Sequence, residues 1–397
     1  MTPTHPTPRA LARHLFSSYK HYRLNHLGPA NCRHRVIERE VVRLCAMSDG
    51  LLNREIVGYS VEGRTINLIS CGSGRKKVLL WSQMHGDEST ATLALMDIFH
   101  FFVRRSVRDA WVKRLLQETR LYVIPMLNPD GAQRVQRHTA VQIDLNRDAL
   151  ALATPEAKVL LDIHRRCSPA YGFNLHDQNV SSVGASPSVA ALSLLAPPVD
   201  GKNSLPPARK RAMRVAAVIV NSLRPFLDGH IAKYDDSFEP RAFGDTLQSL
   251  GTGTVLIESG QWPDDPEKLF IRKVNVVGIL SGLWAIATGA LGEARIADYT
   301  HLALNGKSVY DIVIRDLILE HVNGWSHSVD IGLKMAHGRR SGSRRDLVTI
   351  EQIGDLRRLT GLEIIPGHKR RLASNKVRID RTLPLGKLLA LLRPSRP

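Results

Sequence analysis

The chain has 397 residues, of which 43% are hydrophobic and 23% are charged, and its formal net charge is +18. These values are typical of a globular protein with one large domain and one small domain. No apolar run reaches the 18 or so residues of a membrane span. We also expect no secretory signal, because the N-terminus lacks an apolar core before a small-residue cleavage site.

The four cysteines are scattered along the chain and form no C-x-x-C pair; they are Cys32, Cys45, Cys71 and Cys167. This spacing argues against a zinc site built from cysteines and favours a reducing compartment. We therefore predict a cytoplasmic location.

The excess positive charge lies at the two ends of the chain. Residues 1–37 hold six basic and no acidic residues, and residues 336–397 hold fifteen basic and five acidic ones, whereas residues 38–335 are nearly neutral. Basic ends could contact nucleic acid or another anionic partner. A contribution to solubility explains them equally well.

Apolar strands alternate with helices along most of the chain. The predicted strands are 63–72, 76–84, 120–126, 171–176 and 252–260. The predicted helices are most of 1–60, then 88–103, 154–167, 211–227 and 271–291. This alternation predicts an α/β fold in which helices flank a mixed, largely parallel central sheet.

The pattern changes near residue 295. Short alternating segments such as SVYDIVIRDLIL then predict a small, mainly β domain, in which RRSGSRRD is a loop. We therefore divide the chain into a helical N-terminal extension (1–50), an α/β domain (51–295) and a basic C-terminal domain (296–397).

Four polar clusters follow four of the apolar strands: His85–Glu88, Asn128–Gly131, Asn174–Gln178 and Glu258–Gly260. Ligands of open α/β sheets bind just beyond the carboxyl ends of the strands. We therefore expect these clusters, which are far apart in sequence, to converge.

His85 and Glu88 lie three residues apart, where a strand gives way to a helix. With one more histidine they could form a His₂Glu zinc site whose fourth position is open to water. Alone, the pair is weak evidence for a metal site, because a surface histidine and an acid that favours the helix dipole would give the same spacing. The third ligand would be His164 or His176, and His176 is favoured because it ends a strand, whereas His164 lies inside a helix.

The order of these motifs resembles the M14 zinc carboxypeptidases, the carboxypeptidase A type, over roughly residues 55–285. In that family an H-x-x-E motif supplies two zinc ligands, here His85 and Glu88. A strand ending in x-L-H supplies the third ligand, here His176. An N-P-D-G turn follows the next strand, here Asn128 to Gly131. The resemblance implies the carboxypeptidase fold and one zinc ion per chain.

The resemblance also implies which residues act on the substrate. The segment RHTAVQIDLNRD matches the family pattern R-x-x-A-x-x-x-D-x-N-R and carries Arg137, which would stabilise an oxyanion. It also carries Asn146 and Arg147, which would bind a terminal carboxylate. Glu258, in a strand that ends E-S-G, would be the general base. Tyr234 has about the spacing of a mobile tyrosine that contacts substrate in the family.

We therefore interpret the chain as a zinc-dependent metallocarboxypeptidase that hydrolyses the C-terminal bond of a peptide and has no membrane partner. A zinc-dependent N-acyl amino acid deacylase, of the succinylglutamate desuccinylase or aspartoacylase type, shares the H-x-x-E and D-L-N-R motifs. The N-P-D-G turn and the long stretch before Glu258 favour the peptidase. A basic anion-binding protein is the alternative that is not an enzyme. For Arg147 alone, an ion pair with Asp144 or Asp148 is the alternative to carboxylate binding.

Overall fold

The structure is a computed structural model that describes residues 5–105, 109–335 and 346–394. Contacts divide the described chain into two units. The first unit runs to Asp177 and also includes Leu192–Ser259 and Phe270–Leu302; the second consists of Gln178–Ala191, Gly260–Leu269 and the described part from Ala303 onward. The predicted domain bounds stay predictions. All but the last residue of the predicted RRSGSRRD loop lies outside the described residues.

The helices and strands have the following bounds. The helices are α1 (Pro8–Ser18), α2 (His34–Ala46), α3 (Thr90–Arg105), α4 (Ala110–Glu118), α5 (Pro129–Arg134), α6 (Pro155–Cys167), α7 (Pro207–Leu227), α8 (Phe243–Ser249), α9 (Leu269–Thr288), α10 (Ala297–Thr300) and α11 (Leu385–Ala390). The strands up to residue 260 are β1 (Asn53–Tyr59), β2 (Thr65–Cys71), β3 (Lys76–Ser82), β4 (Thr119–Ile124), β5 (Tyr171–Asp177), β6 (Ser182–Val183), β7 (Leu192–Leu195), β8 (Ile231–Lys233) and β9 (Gly253–Ser259). The later strands are β10 (Asn305–Gly306), β11 (Val309–Glu320), β12 (Ser326–Met335), β13 (Leu347–Gly354), β14 (Thr360–Pro366), β15 (Arg371–Ala373) and β16 (Thr382–Pro384).

The first unit is built on one sheet with the strand order β1-β2-β4-β3-β5-β9-β7-β8. The central strands β4, β3, β5 and β9 are parallel, so their carboxyl ends lie at the same edge of the sheet. These strands are apolar because both faces are covered, and Trp81 in β3 is fully buried. The predicted α/β fold with a mixed, largely parallel sheet is confirmed.

The prediction that residues 1–60 are mainly helical is wrong at Asn53–Tyr59. This segment pairs antiparallel with β2, where Asn53 lies opposite Ser70 and Tyr59 lies opposite Thr65. It is a partly exposed edge strand without a continuous apolar run. Its strand conformation therefore depends on pairing with β2, which the local sequence does not show. Helix α4 was also not predicted; it is only nine residues long, although Trp111 and Leu115 follow helical spacing on its buried face.

A buried ion pair fastens the N-terminal segment to the first unit. Asp97 and Arg272 are 0% and 1% exposed, and Nε of Arg272 donates to Asp97 Oδ2 at 2.7 Å. Arg272 also donates to the carbonyl of Leu27 at 2.7 Å, and the hydroxyl of Tyr19 donates to Asp97 at 2.6 Å. The predicted N-terminal helices therefore pack into the first unit.

Helix α9 (Leu269–Thr288) is long and apolar enough to cross a membrane by length and composition. However, 83% of its most apolar stretch is buried within the protein. It also carries the buried Arg272 and Asn275, both of which have partners inside the unit. Its composition is therefore that of a core helix.

The second unit contains a sheet with the strand order β14-β11-β12-β13-β16, and β15 pairs with β11. Its strands bury a large cluster of apolar side chains, to which Leu385 and Leu388 of α11 also belong. The prediction of a mainly β C-terminal region agrees with this architecture.

Candidate metal and substrate site

The sheet topology brings three of the predicted polar clusters to one edge. His85 follows β3, His176 lies near the end of β5, and Glu258 lies near the end of β9. Because β3, β5 and β9 are parallel neighbours, these side chains share the carboxyl edge, and His176 lies directly opposite Glu258. The expected convergence is therefore present at this edge.

Three buried side chains form a group that could hold a metal ion: His85, Glu88 and His176. Their ligand atoms all lie within 4.8 Å of one another, and the residues are 2%, 8% and 2% exposed. Nδ1 of His85 is 2.7 Å from Glu88 Oε1, and Nδ1 of His176 is 2.7 Å from Glu88 Oε2. The two Nδ1 atoms are 3.2 Å apart.

The contacts of His85 decide which of its nitrogens could bind a metal. Its Nε2 lies 3.1 Å from Oδ1 of Asp144, and because an ionised carboxylate can only accept, Nε2 carries the proton. In a neutral imidazole Nδ1 then presents a lone pair to the Glu88 carboxylate. Two acceptors 2.7 Å apart repel each other unless a proton or a metal ion lies between them. The donor set therefore fits a cation, and His₂Glu is a zinc-binding set.

A tight turn after β3 aims His85 at this point. Gln83 adopts a left-handed conformation with φ of 50°, which is uncommon for a residue with a side chain. Its buried amide donates to the carbonyl of Gly86 at 2.8 Å. A Cβ on Gly86 would meet the backbone of Gly131 at 1.9 Å, so only glycine fits there. The glycines of the HGDE and NPDG motifs therefore pack against each other.

Asn128 fixes the same turn from the other side. Its side-chain oxygen caps α5 by accepting from the amide of Gly131 at 2.9 Å. Its Nδ2 donates to the carbonyl of Met84 at 3.2 Å. The NPDG motif thus holds in place the turn that carries His85.

Asp144 is a candidate site residue that the sequence interpretation missed, since it was considered only as an ion-pair partner of Arg147. Its Oδ1 contacts His85 and also accepts from the amide of Asn146 at 2.9 Å. Its Oδ2 accepts from Nε and Nη2 of Arg137 at 3.2 and 3.0 Å. The sequence feature that could have identified Asp144 is its position two residues before Asn146 in the D-L-N-R motif.

Charge within the site shifts two carboxyl groups in opposite directions. Burial acts to raise the pKa of Glu88, but the adjacent His85 and His176 outweigh it and hold that pKa well below its usual range. Burial and the negative charge of Glu88 raise the pKa of Glu258 well above its usual range. One carboxylate is thus held ionised among the histidines, while the other can carry a proton.

Tyr234 and Arg137 lie beside these groups. The negative charge of Glu258, followed by burial, raises the pKa of the Tyr234 hydroxyl well above its usual range. Nη1 of Arg137 lies 3.2 Å from Nδ1 of His85 and 3.5 Å from Glu88. Arg137 is 42% exposed along its side chain, so its guanidinium can reach both the ligand cluster and solvent.

Asn146 and Arg147 lie in the one-turn 3-10 helix Leu145–Arg147, whose amides Asp144 caps. The side chain of Arg147 is 41% exposed, and its Nε is 3.4 Å from Oε2 of Glu239. The alternative ion pairs with Asp144 or Asp148 are wrong. Asp144 binds Arg137, and Asp148 accepts from the amide of Thr154, the N-cap residue of α6.

The structure separates His164 from the ligand cluster. It lies in α6, and its Nε2 is 2.8 Å from the hydroxyl of Thr252. It lines a cavity of about 650 Å³ whose walls include Leu152 and Leu250 and none of the proposed site residues. Of the two candidate third ligands, only His176 therefore lies beside His85 and Glu88.

Known proteins resemble this chain in sequence and in fold. Residues 37–183 match the zinc carboxypeptidase family model of the M14 peptidases, a range that includes the three ligand candidates and Arg147 but not Glu258. Carboxypeptidase 2 of Trichophyton rubrum is 27% identical over 104 residues, which is 26% of this chain and 19% of that protein. The chain spans about a fifth of the length of the curated relatives it matches.

Solved structures share the fold. A metallo-carboxypeptidase from Burkholderia cenocepacia has a TM-score of 0.51 at 18% identity and covers 65% of this chain and 69% of its own. Carboxypeptidase A from Helicoverpa armigera has a TM-score of 0.52 at 16% identity and covers 70% of this chain and 80% of its own. Over residues 37–183 the chain is therefore similar in sequence to the M14 zinc carboxypeptidases, and it shares the fold of solved metallocarboxypeptidases.

Proposed function

We propose that this protein is a zinc-dependent metallocarboxypeptidase that removes the C-terminal residue of a peptide. The observation that carries the proposal is the position of Asp144. Its carboxylate contacts the ligand candidate His85 and caps the turn that carries Asn146 and Arg147. A group that recognises a free carboxylate is thereby held beside a group that binds a metal ion, which is the arrangement an exopeptidase requires.

His85, Glu88 and His176 would hold one zinc ion per chain, and the donor set of two imidazoles and a carboxylate fits that metal. When bound, zinc supplies Lewis-acid chemistry, polarising a carbonyl and lowering the pKa of water. The protein residues do the rest. Asp144 keeps the His85 proton on Nε2, which leaves Nδ1 free to act as a ligand.

Glu258 is placed to move a proton. It is 7% exposed and lies opposite His176 on the neighbouring strand. A buried carboxyl group whose pKa is raised can accept a proton from an attacking water and return it to the leaving amine. Arg137, which the Asp144 carboxylate holds, can stabilise the developing oxyanion.

Arg147 and Asn146 would bind the terminal carboxylate of the substrate, and Tyr234 would contact the substrate near Glu258.

The test of the proposed function is hydrolysis of a peptide, its C-terminal amide and an N-acyl amino acid by zinc-loaded protein. Hydrolysis of the free-ended peptide alone supports a carboxypeptidase. Hydrolysis of the N-acyl amino acid alone would instead indicate a deacylase, and hydrolysis of none of them would contradict an enzyme of either type.

We retain the cytoplasmic location as a proposal, which the four cysteines support because they form no disulfide within the described residues.

A further inference from the structure

The proposed carboxylate-binding residues are fastened to one other segment of the first unit, Glu239–Phe243. The backbone amide of Phe243 donates to Oδ1 of Asn146 at 3.1 Å. The side-chain oxygen of Asn146 is therefore occupied, and its Nδ2, the group that can donate to a carboxylate, is directed away from that amide. Close by, the amide of Ala149 donates to the carbonyl of Arg241 at 3.1 Å.

The same segment holds Arg147 by one edge of its guanidinium group. Nε of Arg147 faces Oε2 of Glu239 at 3.4 Å, and Nη1 donates to the carbonyl of Asn146 at 2.7 Å. Within the described residues, Nη2 of Arg147 has no recorded partner. The outer edge of the guanidinium group thus keeps N–H groups that can bind an oxygen of the substrate.

Glu239 is itself fixed in place. Its two oxygens accept from Nε and Nη2 of Arg241 at 2.9 and 2.6 Å, and its amide donates to Oδ1 of Asp245 at 3.1 Å. The hydrogen bonds from Arg241 lower the pKa of Glu239 to about 2, so the side chain is ionised at working pH. Glu239 is therefore an ionised side chain whose two oxygens are both hydrogen-bonded.

We propose that Glu239 is a positioning residue for carboxylate recognition, which holds Arg147 by its Nε edge and leaves the outer edge to the substrate. This inference rests on the proposed function of Arg147. Glu239 could also act in the opposite direction, because its negative charge repels a substrate carboxylate. We expect positioning to dominate, since the two-point contact with Arg241 already compensates that charge.

Glu239→Asp separates the two effects, because it keeps the charge and withdraws the carboxylate by one methylene from a contact that is already 3.4 Å long. We expect KM for a free-ended peptide to rise about fivefold, the change expected for the loss of one exposed ion pair, with kcat unchanged. The amidated peptide should show no change. Glu62→Asp is the matched control, since Glu62 also bridges two arginines, Arg64 and Arg134, and should leave both substrates unaffected.

A double-mutant cycle tests whether the effect passes through Arg147. In an Arg147→Ala background, Glu239→Asp should cause no further loss; an equal loss in both backgrounds would overturn the positioning role. If the Glu239→Asp variant prefers free-ended over amidated peptide as strongly as the wild type does, the positioning role of Glu239 is overturned, but carboxylate recognition by Arg147 is not. If the wild-type protein hydrolyses free-ended and amidated peptides equally well, carboxylate recognition by Arg147 is overturned, and the role of Glu239 is overturned with it.

Discussion

Oδ1 of Asp144 lies 3.1 Å from Nε2 of His85, and this contact assigns the imidazole proton to the side of the ring that faces away from Glu88. The same carboxylate binds Arg137 and caps the turn that carries Asn146. A single acidic side chain therefore links a metal-ligand candidate, an oxyanion-stabilising candidate and the carboxylate-binding turn.

Replacement of Asp144 by asparagine should weaken metal binding. An amide can present either a donor or an acceptor to Nε2, so the Asp144→Asn variant no longer enforces the tautomer that leaves Nδ1 of His85 free. Partners of this kind typically contribute about 10- to 100-fold in metal affinity. Titration of metal-free protein with zinc against a chelator measures the change. Asp148→Asn is the control and should retain wild-type affinity, since this buried carboxylate accepts from the amide of Thr154, the N-cap residue of α6.

The two histidine candidates should differ in metal content. His176→Ala should lose the bound zinc, because one of three protein ligands is removed from a buried group. His164→Ala should keep one zinc per chain, since His164 contacts Thr252 and not the ligand cluster. Elemental analysis of the purified variants gives the result. Zinc retained by His176→Ala and lost from His164→Ala would show that the ligand assignment is wrong.

Glu258→Gln should keep the fold and the zinc ion and lose turnover. The substitution conserves the shape of the side chain but removes the group that accepts the proton. The loss of general-base action typically costs on the order of 10²–10⁴-fold. Steady-state kinetics on a free-ended peptide should place this loss in kcat rather than in KM. A variant with near-normal kcat and bound zinc would rule out Glu258 as the base.

Arg147→Ala should raise KM for substrates that end in a free carboxylate and change amidated substrates little, because these lack the group that Arg147 binds. Lysine at this position should restore binding only in part, since an ammonium group cannot offer two parallel N–H groups. Kinetics on matched free and amidated peptides would decide. If the native enzyme cleaves both peptides equally well, an endopeptidase or amidase on the same site becomes the better interpretation.

Asp245 should make stability depend on pH in the direction opposite to most acids. Burial raises the pKa of Asp245 to about 6, above its ordinary value of 3.8. The folded protein therefore binds the proton more tightly, and stability is lost as pH rises from 3.8 to 6. Asp245→Asn should relieve this cost above pH 6, by on the order of 1–3 kcal/mol, and give no gain below pH 3.8. Urea unfolding of both proteins across this range gives the difference; a variant that is less stable at pH 7 would contradict the effect.

Local patterns were sufficient for much of the fold. Strand β9 and helix α6, which starts at Thr154 as an N-cap, follow from apolar runs and capping residues that lie within a few positions of one another. The positions of His85, Glu88 and Glu258 at strand ends likewise follow from the order of motifs along the chain. Such features depend on neighbours in sequence, and a sequence shows those neighbours directly.

The contacts that complete the candidate site depend on partners distant in sequence. Arg147 meets Glu239, and His85 meets Asp144, only because the crossovers of the sheet bring loops that follow different strands to one edge. The edge strand Asn53–Tyr59 is a further case, since its partner β2 satisfies its backbone hydrogen bonds. The sequence thus determined which residue types stand at the strand ends, whereas the tertiary structure decided which charges face each other, because strand order and register are cooperative properties of the whole sheet.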